Sequence, residues 1–259
     1  MRQLEARNRF IARKKTKQKC KIYHFFHNSL FLNALYLLKE VYKVSARKQN
    51  KASATPLFLA SHLGHTKVVM RLVDLDNPKK TSEYLRKKNK KGASPLLAAV
   101  GNGHVSTVKV LLKLGSNIKS TNTDDQNVFY IAAEQNHPKV LQTLIDHNEK
   151  IADELMVQPD HKGNTAFHIA SRLGHESIMK IMVELRLKYD KSDTKSNSTG
   201  LESMFQFEFD AMANHNGQTP LHMACKQGDE KITVAIVKVN SSLMNDDDMF
   251  GDTPLHIQS

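Results

Sequence analysis

Short clusters of apolar and small residues recur along the chain from residue 51, and a glycine or an asparagine divides each cluster in two. The most complete copy spans residues 214–231 and reads NHNGQTPLHMACKQGDEK. Apolar positions three or four residues apart predict two short amphipathic helices in each copy. The apolar face of the second helix is formed by Val68, Val69, Leu72, Val108, Leu111, Leu112, Val140, Leu141, Leu144, Ile178, Ile181, Met182, Ile232, Ala235 and Ile236. Because one such pair cannot bury its own apolar face, we expect the copies to stack.

Each first helix has a start signal and a stop signal. Thr219 suits the N-cap, where its side chain accepts a backbone N–H, and Pro220 suits the first helical position. Successive starts are 39, 33, 38, 54 and 34 residues apart, at Thr55, Ser94, Asn127, Thr165, Thr219 and Thr253. The stop is a residue expected to have positive φ, namely Gly64, Gly103, Asn136, Gly174 or Gly228. These signals predict where each first helix begins and ends.

The pattern resembles the ankyrin repeat, whose marks are a T-P-L-H-x-A signature and a period of about 33 residues. The resemblance covers residues 51–259 and implies an all-α solenoid of helix–turn–helix units with short β-hairpin loops. Five repeats are clear, and residues 251–259 form part of a sixth. Because this last copy ends inside the signature, we interpret the chain as a fragment; a tail or partner covering the last repeat is the alternative. Residues 22–50 are interpreted as a degenerate repeat or cap, since Leu30 occupies the glycine position.

A narrower resemblance rests on three segments, residues 94–133, 160–175 and 216–228. They are similar to the N-terminal cytosolic repeats of the ankyrin-rich (A) subfamily of transient receptor potential cation channels. The sequence NVFY at residues 127–130 departs from the TPLH signature, and no channel segment is present. The narrower resemblance implies a sensing or coupling module of a membrane channel, on its cytosolic side.

Insertions explain the longer intervals between repeats. They are expected near residues 75–91 and 186–213, and residues 151–157 are expected to add a short helical turn. The polar segment 190–200 is predicted to be flexible. The apolar segment 201–209 includes Met204, Phe205, Phe207 and Phe209, and it is expected to pack locally or to contact a partner.

Positive charge is concentrated in two segments. The net charge is +12, and residues 1–21 carry nine Lys or Arg against one Glu. Residues 1–21 are interpreted as a basic, flexible arm, with a nuclear-localisation or anion-binding patch as the alternative. Seven further basic residues lie in the connection at residues 75–91. This connection is interpreted as a solvated loop, with a docking site for an acidic partner as the alternative. We expect weak, non-specific contact with anionic lipid or nucleic acid through residues 1–21 and 79–91, and such contact should weaken with salt.

No catalytic, cofactor-binding or metal-binding residue is predicted. The resemblance implies that His168, His222 and His256 join backbone and loop by hydrogen bonds, and repetition explains the other regularly spaced histidines. Cys20 and Cys225 give no disulfide framework, which favours a reducing, cytoplasmic location. Cys225 is expected to be an inert core thiol, whereas the basic surroundings of Cys20 favour thiolate. The longest apolar stretch, residues 30–38, is too short to span a bilayer.

The predicted function is a non-catalytic scaffold that binds other proteins. By resemblance, contact is made by the helical face and by the hairpin tips. The candidate tip residues are Asn89, Lys90, Lys91, Asp124, Asp125, Gln126, Asp160, His161, Lys162, His215, Asn216, Asp247 and Asp248. Three hypotheses remain open: a soluble adaptor or inhibitor, a part of a cation channel, and the recognition arm of an enzyme such as a ubiquitin ligase or kinase.

Overall fold

The structure is a computed structural model that describes residues 49–74, 81–193, 213–239 and 241–258. Within these ranges the chain is helical and contains no β-strand. The α-helices are α1 (Pro56–His62), α2 (Thr66–Asp74), α3 (Thr81–Arg86), α4 (Pro95–Gly101), α5 (Val105–Lys113), α6 (Val128–Glu134), α7 (Pro138–His147), α8 (Glu149–Val157), α9 (Ala166–Leu173), α10 (Glu176–Asp193), α11 (Pro220–Gln227) and α12 (Glu230–Val239). Two 3-10 helices follow, η1 (Ser241–Asn245) and η2 (His256–Gln258).

The helices form two layers of a stack. Helices α1, α4, α6, α9 and α11 pack side by side in one layer, and η2 packs against α11. Helices α2, α5, α7, α10 and α12 form the second layer, which η1 extends. Each repeat therefore contacts only its neighbours, which confirms the predicted solenoid.

One continuous apolar core joins the repeats. It extends from Leu57 in α1 to Leu243 in η1. All the residues predicted for the second helices except Ala235 lie in or against this core. Ile181 packs against it while half-buried, and Ala235 is half-buried outside it. Small residues such as Ala99, Ala132 and Ala170 are fully buried between adjacent first helices. The core is thus built from neighbouring repeats, as the apolar spacing predicts.

Five of the six predicted start residues directly precede a first helix, whereas Thr253 is followed only by the 3-10 helix η2. Thr55 Oγ1 accepts the N–H of Phe58 at 3.1 Å, and Asn127 Oδ1 accepts those of Phe129 and Tyr130 at 2.9 and 3.0 Å. At the other end of the first helices, the five predicted stop residues all have positive φ, between 53° and 73°. Asn136 has a φ of 53°, so an asparagine does fill this position in the third repeat.

The first insertion contributes to the core, which corrects its interpretation as a solvated loop. Within residues 75–91, the segment 81–86 forms α3, which packs against α4 and buries Tyr84 and Leu85. Tyr84 Oη accepts the N–H of Leu57 at 3.2 Å, so the insertion also supports α1. Tyr84 and Leu85 form an apolar pair within a Lys-rich segment. Because this pair packs against the side of the stack, the segment is helical and partly buried despite its charge.

The other insertions are also more helical than predicted. Helix α8 begins after Asn148, whose Oδ1 accepts the N–H of Ile151, and it buries Leu155 and Met156. Helix α10 continues to Asp193, so residues 190–193 of the segment predicted to be flexible are helical. No proline or glycine interrupts residues 176–193, which allows this extension. The predictions for residues 1–21, 22–48 and 194–212, the last with Met204, Phe205, Phe207 and Phe209, concern residues outside the described ranges.

Candidate partner-binding surface

Six loops of the same design each precede a helix of the first layer, at residues 50–54, 89–93, 122–126, 160–164, 214–218 and 248–252. Each begins with Asn or Asp, whose Oδ1 accepts the N–H groups of the third and fifth loop residues. Asn214, for example, accepts from Asn216 at 2.9 Å and from Gln218 at 3.0 Å. The fourth residue has positive φ in every loop. The predicted hairpins are therefore tight turns closed by an Asn or Asp side chain, without β-strands in the described residues.

Hydrogen bonds join these loops into one row. In each case the N–H of the second loop residue donates to the carbonyl of the third residue of the preceding loop. The pairs are Lys90 to Ala52, Thr123 to Lys91, His161 to Asp124, His215 to Lys162 and Met249 to Asn216, at 3.0–3.2 Å. Residues far apart in sequence therefore lie side by side along one edge of the stack.

The candidate tip residues separate into two groups. The exposed group comprises Lys90, Lys91, Asp124, Asp125, His161, Lys162, His215, Asn216 and Asp247. Within it, His161 Nδ1 lies 3.1 Å from the Asp124 carbonyl oxygen of the preceding loop. In the second group, Asn89, Asp160 and Asp248 use Oδ1 to close their own loops, and Asp160 and Asp248 are buried. Gln126 is half-buried and its Oε1 accepts from Asn122. Lys51 and Thr123 hold equivalent exposed positions that the sequence reasoning missed, although the recurring Asn/Asp-x-x-Gly spacing marks most of these loops.

The signature histidines hold the loop row to the helices. His168 Nδ1 accepts the N–H of Thr165 at 3.1 Å, and its Nε2 lies 3.0 Å from the carbonyl oxygen of Gln218. Because Nδ1 accepts a backbone N–H, the ring proton is on Nε2, which donates to Gln218. His222 makes the same pair of contacts with Thr219 and Asp252, at 3.1 and 3.1 Å. This is the bridging arrangement that the resemblance implied.

Tyr130 performs the same bridging in the third repeat. It occupies the signature position, and its hydroxyl donates to Asp160 Oδ2 of the next loop at 2.9 Å. Burial, together with the hydrogen bond to the Asp160 carboxylate and the negative charge of that group, raises the pKa of Tyr130 above its usual value. The departure NVFY therefore preserves the bridge with a different side chain.

The histidines that follow the glycine turns have a separate structural role. His104 Nε2 lies 3.0 Å from the His62 carbonyl oxygen, and His137 Nε2 lies 3.3 Å from that of Gly101. His175 uses Nδ1 to reach the Ala133 carbonyl at 2.7 Å. Each ring thus contacts the first helix of the preceding repeat, which explains the regular spacing of these histidines.

Other chemistry is sparse in the described part of the chain. There, no three side chains of the His, Cys, Asp or Glu type are arranged to hold a metal ion. Cys225 is buried, and burial raises the pKa of its thiol, which disfavours the reactive thiolate. None of the described helices combines the length and apolar character needed to cross a membrane.

Comparison with known proteins agrees with this architecture. The family profile described as "Ankyrin repeats (3 copies)" matches residues 26–122 and 114–195, and the "Ankyrin repeat" profile matches residues 216–248. The chain belongs to the ankyrin repeat family. Ankyrin repeats indicate a scaffold for protein–protein interaction.

Individual ankyrin-containing relatives are distant. Alpha-latrotoxin-Lg1a of Latrodectus geometricus is 27% identical over 56% of this chain, and alpha-latrotoxin-Lhe1a of Latrodectus hesperus is 24% identical over 55%. The nuclear factor NF-kappa-B p105 subunit of Gallus gallus is 23% identical over 49%. The matches span only 9%, 8% and 14% of these three relatives. They support the ankyrin repeat and do not show the narrower resemblance to channels.

Proposed function

We propose that this ankyrin domain binds a protein partner along its row of loop tips. The observation that carries the proposal is the chain of hydrogen bonds from Lys90–Ala52 to Met249–Asn216, which fixes successive exposed tips relative to one another. The backbone of such a row is pre-organised, so a partner that binds it avoids much of the entropic cost of ordering the loops.

The chemistry of the row favours a partner with mixed character. Lys51, Lys90 and Lys91 are exposed at one end, followed by the carboxylates of Asp124 and Asp125. At the other end, Met249 is 62% exposed and Phe250 is 76% exposed. A partner with acidic residues opposite the lysines and an apolar pocket for Phe250 would match both ends, since aromatic anchors often dominate interface energy.

The test compares tip variants with a variant on the second helical layer. One variant carries Lys90→Glu and Lys91→Glu, another carries Phe250→Ser, and the control carries Lys109→Glu and Lys113→Glu on exposed positions of α5. Proteins captured quantitatively from a cell extract should be lost from the tip variants and retained by the control. Equal loss from the control, or no partner for the folded wild-type chain, would contradict the proposal.

The wider context of the domain is also a proposal. The channel module, the soluble adaptor or inhibitor, and the recognition arm of an enzyme all use the same binding surface, and a cytoplasmic location is proposed for each. Reading the transcript past the codon for Ser259 separates them, because six apolar segments of about 20 residues would indicate a channel. An encoded catalytic domain would instead favour the enzyme.

The basic segments support a second, weaker proposal. In the described part of the 79–91 segment, Lys90 and Lys91 are exposed, while Lys88 Nζ donates to the Thr121 carbonyl at 2.6 Å. Non-specific contact with anionic lipid or nucleic acid would use such exposed charges and residues 1–21. Binding to anionic vesicles should fall steeply between low and moderate salt, and binding that survives high salt would contradict it.

A further inference from the structure

The second helical layer changes in charge along the stack. On α2 and α5, four exposed side chains are cations and one, Asp74, is an acid. On α7, α10 and α12, the exposed side chains that the structure describes include four lysines and four acids. Ion pairs follow the same division, since Lys180 lies 3.9 Å from Glu184 and Lys231 lies 3.0 Å from Glu176. Within the described residues, no ion pair involves α2 or α5. The positive charge of the first two repeats is therefore not neutralised locally.

The four cations share one outward surface. Lys67 and Arg71 are four residues apart on α2, and Lys109 and Lys113 are four residues apart on α5, so each pair lies on one face of its helix. The buried residues of both helices belong to the apolar core on the opposite side, and the two helices pack against each other. Together with Met70, these four residues form a continuous surface, the α2–α5 face.

Met70 adds an apolar side chain to this cationic surface. It is 41% exposed and lies on α2 between Lys67 and Arg71. Surfaces that bind lipid bilayers combine exposed apolar groups with Lys and Arg, whose long side chains keep their charge in water while the stem covers apolar surface. The α2–α5 face has this combination, whereas the exposed Val234 of α12 lies among charges of both signs.

The charge of the remaining chain gives this face a direction. Residues 1–113 carry 25 Lys or Arg against five acids, whereas residues 114–259 carry 13 against 21. An anionic surface attracts the first part and repels the second, since the summed charge distribution steers association. The α2–α5 face therefore lies on the side of the chain that an anionic surface attracts.

We propose that the α2–α5 face docks on an anionic lipid membrane. The proposal rests on the lipid contact proposed above and assigns it to a folded surface in addition to residues 1–21 and 79–91. Clusters of about four to eight Lys or Arg on amphipathic helices are typical of surfaces that bind phosphatidylserine. A membrane needs no groove on the protein, which suits two neighbouring helix faces. Single-stranded nucleic acid would instead stack on exposed aromatic side chains, and the exposed aromatic among the described large apolar residues is Phe250, on the tip row.

The first test uses tryptophan as a reporter, because the natural chain contains none. Met70→Trp places the reporter on the α2–α5 face, and Val234→Trp places it at the matching exposed position of α12. The probe is vesicles of equal parts phosphatidylcholine and phosphatidylserine, with phosphatidylcholine vesicles as the blank. Fluorescence of the full-length Met70→Trp chain should shift to shorter wavelength with the anionic vesicles only, because indole inserts at the bilayer interface. Fluorescence of Val234→Trp should not shift.

The second test removes charge without changing the apolar group. Lys109→Gln with Lys113→Gln should weaken vesicle binding about tenfold or more, since each basic residue near an anionic membrane contributes about fivefold. The control, Lys139→Gln with Lys180→Gln on α7 and α10, changes the net charge by the same amount. It should leave the affinity within about threefold of wild type at about 0.1 M ionic strength, where charges more than about 10 Å from the membrane are screened. All four positions are exposed, and circular dichroism checks that each variant is folded.

Equal spectral shifts for the two reporters, or equal weakening by the two charge pairs, would overturn docking by this face. Vesicle binding without a shift in Met70→Trp would also overturn it, while the contact through residues 1–21 would stand. An absence of vesicle binding would overturn both lipid proposals. Equally tight binding of a duplex oligonucleotide at the same salt would overturn the assignment to lipid. Because no protein partner enters these measurements, their failure leaves the scaffold proposal to its own test.

Discussion

The interior loops and the last loop have the same backbone but different surroundings. At residues 214–218 and at 248–252, an Asx side chain accepts two N–H groups and the glycine has a φ of 73° or 79°. A Cβ added at Gly217 would lie 2.7 Å from Met249 N, whereas one added at Gly251 would meet no described atom within 4 Å. The loop conformation is therefore set by its own five residues, and the close packing is set by the next repeat.

The largest expected loss of stability is that of Gly217→Ala, and comparison with Gly251→Ala separates the contribution of the loop conformation from that of the packing between loops. Both variants place an L-residue in the left-handed region, at about 1–2 kcal/mol. Only Gly217→Ala also presses against the backbone of the next loop, which should add about 1–3 kcal/mol. Urea unfolding followed by circular dichroism should show the larger loss for Gly217→Ala. Equal midpoints for the two variants would mean that the loops do not pack as closely as described.

The next largest effect is a difference in the stability lost when a signature histidine is replaced inside the stack and at its end. His168 is fully buried, whereas the corresponding His256 is exposed and lies 3.3 Å from the Thr253 N–H through Nδ1. His168→Leu leaves the buried Thr165 N–H without a partner and removes one of the two donors to the Gln218 carbonyl, which also accepts the N–H of Asn214. The substitution should cost about 2–3 kcal/mol. His256→Leu should change stability by less than about 0.5 kcal/mol.

The same urea measurement tests the histidine pair. A loss in His256→Leu as large as that in His168→Leu would show that burial does not determine the strength of the bridge. A His168→Leu variant as stable as wild type would contradict the bridging role itself.

The Tyr130 bridge provides a third, pH-dependent contrast. Tyr130→Phe removes the hydrogen bond to Asp160 and should cost about 1.5–3 kcal/mol, the range for bonds to charged groups. Because the folded-state pKa of Tyr130 is raised, the folded chain retains this proton above pH about 10, where the unfolded chain releases it. This contribution to stability is complete below pH about 10 and is lost as the pH rises further.

The alkaline prediction is checked by comparing wild type with Tyr130→Phe between pH about 9 and 11 in urea. The stability difference between them should narrow as the pH rises. A constant difference over this range would mean that Tyr130 does not retain its proton in the folded state.

The sequence predicts features that depend on residues close together in the chain better than features that depend on contacts between stacked repeats. The first helices were predictable because Thr–Pro starts and positive-φ stops act within a few residues, as at Thr219 and Gly228. Helix α3 was missed because its burial depends on contact of Tyr84 and Leu85 with other repeats, while its local sequence is rich in lysine. The positions of the tip loops were predicted from the sequence, but the role of Asn89, Asp160 and Asp248 in closing those loops was not.

The smallest expected effect concerns the acid that closes the last loop. Burial alone would raise the pKa of Asp248, but the N–H groups of Phe250 and Asp252, a hydrogen bond with Gln218 and the nearby His222 hold it below its usual value. A depressed folded-state pKa contributes stability above pH about 4, and that contribution is lost as the pH falls further. Asp248→Asn copies the asparagine of the interior loop at Asn214 and keeps the Oδ1 acceptor, so the loop should still close. Hydrogen exchange of the Phe250 and Asp252 amides should accelerate, relative to the intrinsic rate, between pH about 5 and 3 in wild type and stay level in Asp248→Asn. Matching acid responses in both proteins would show that another group controls this loop.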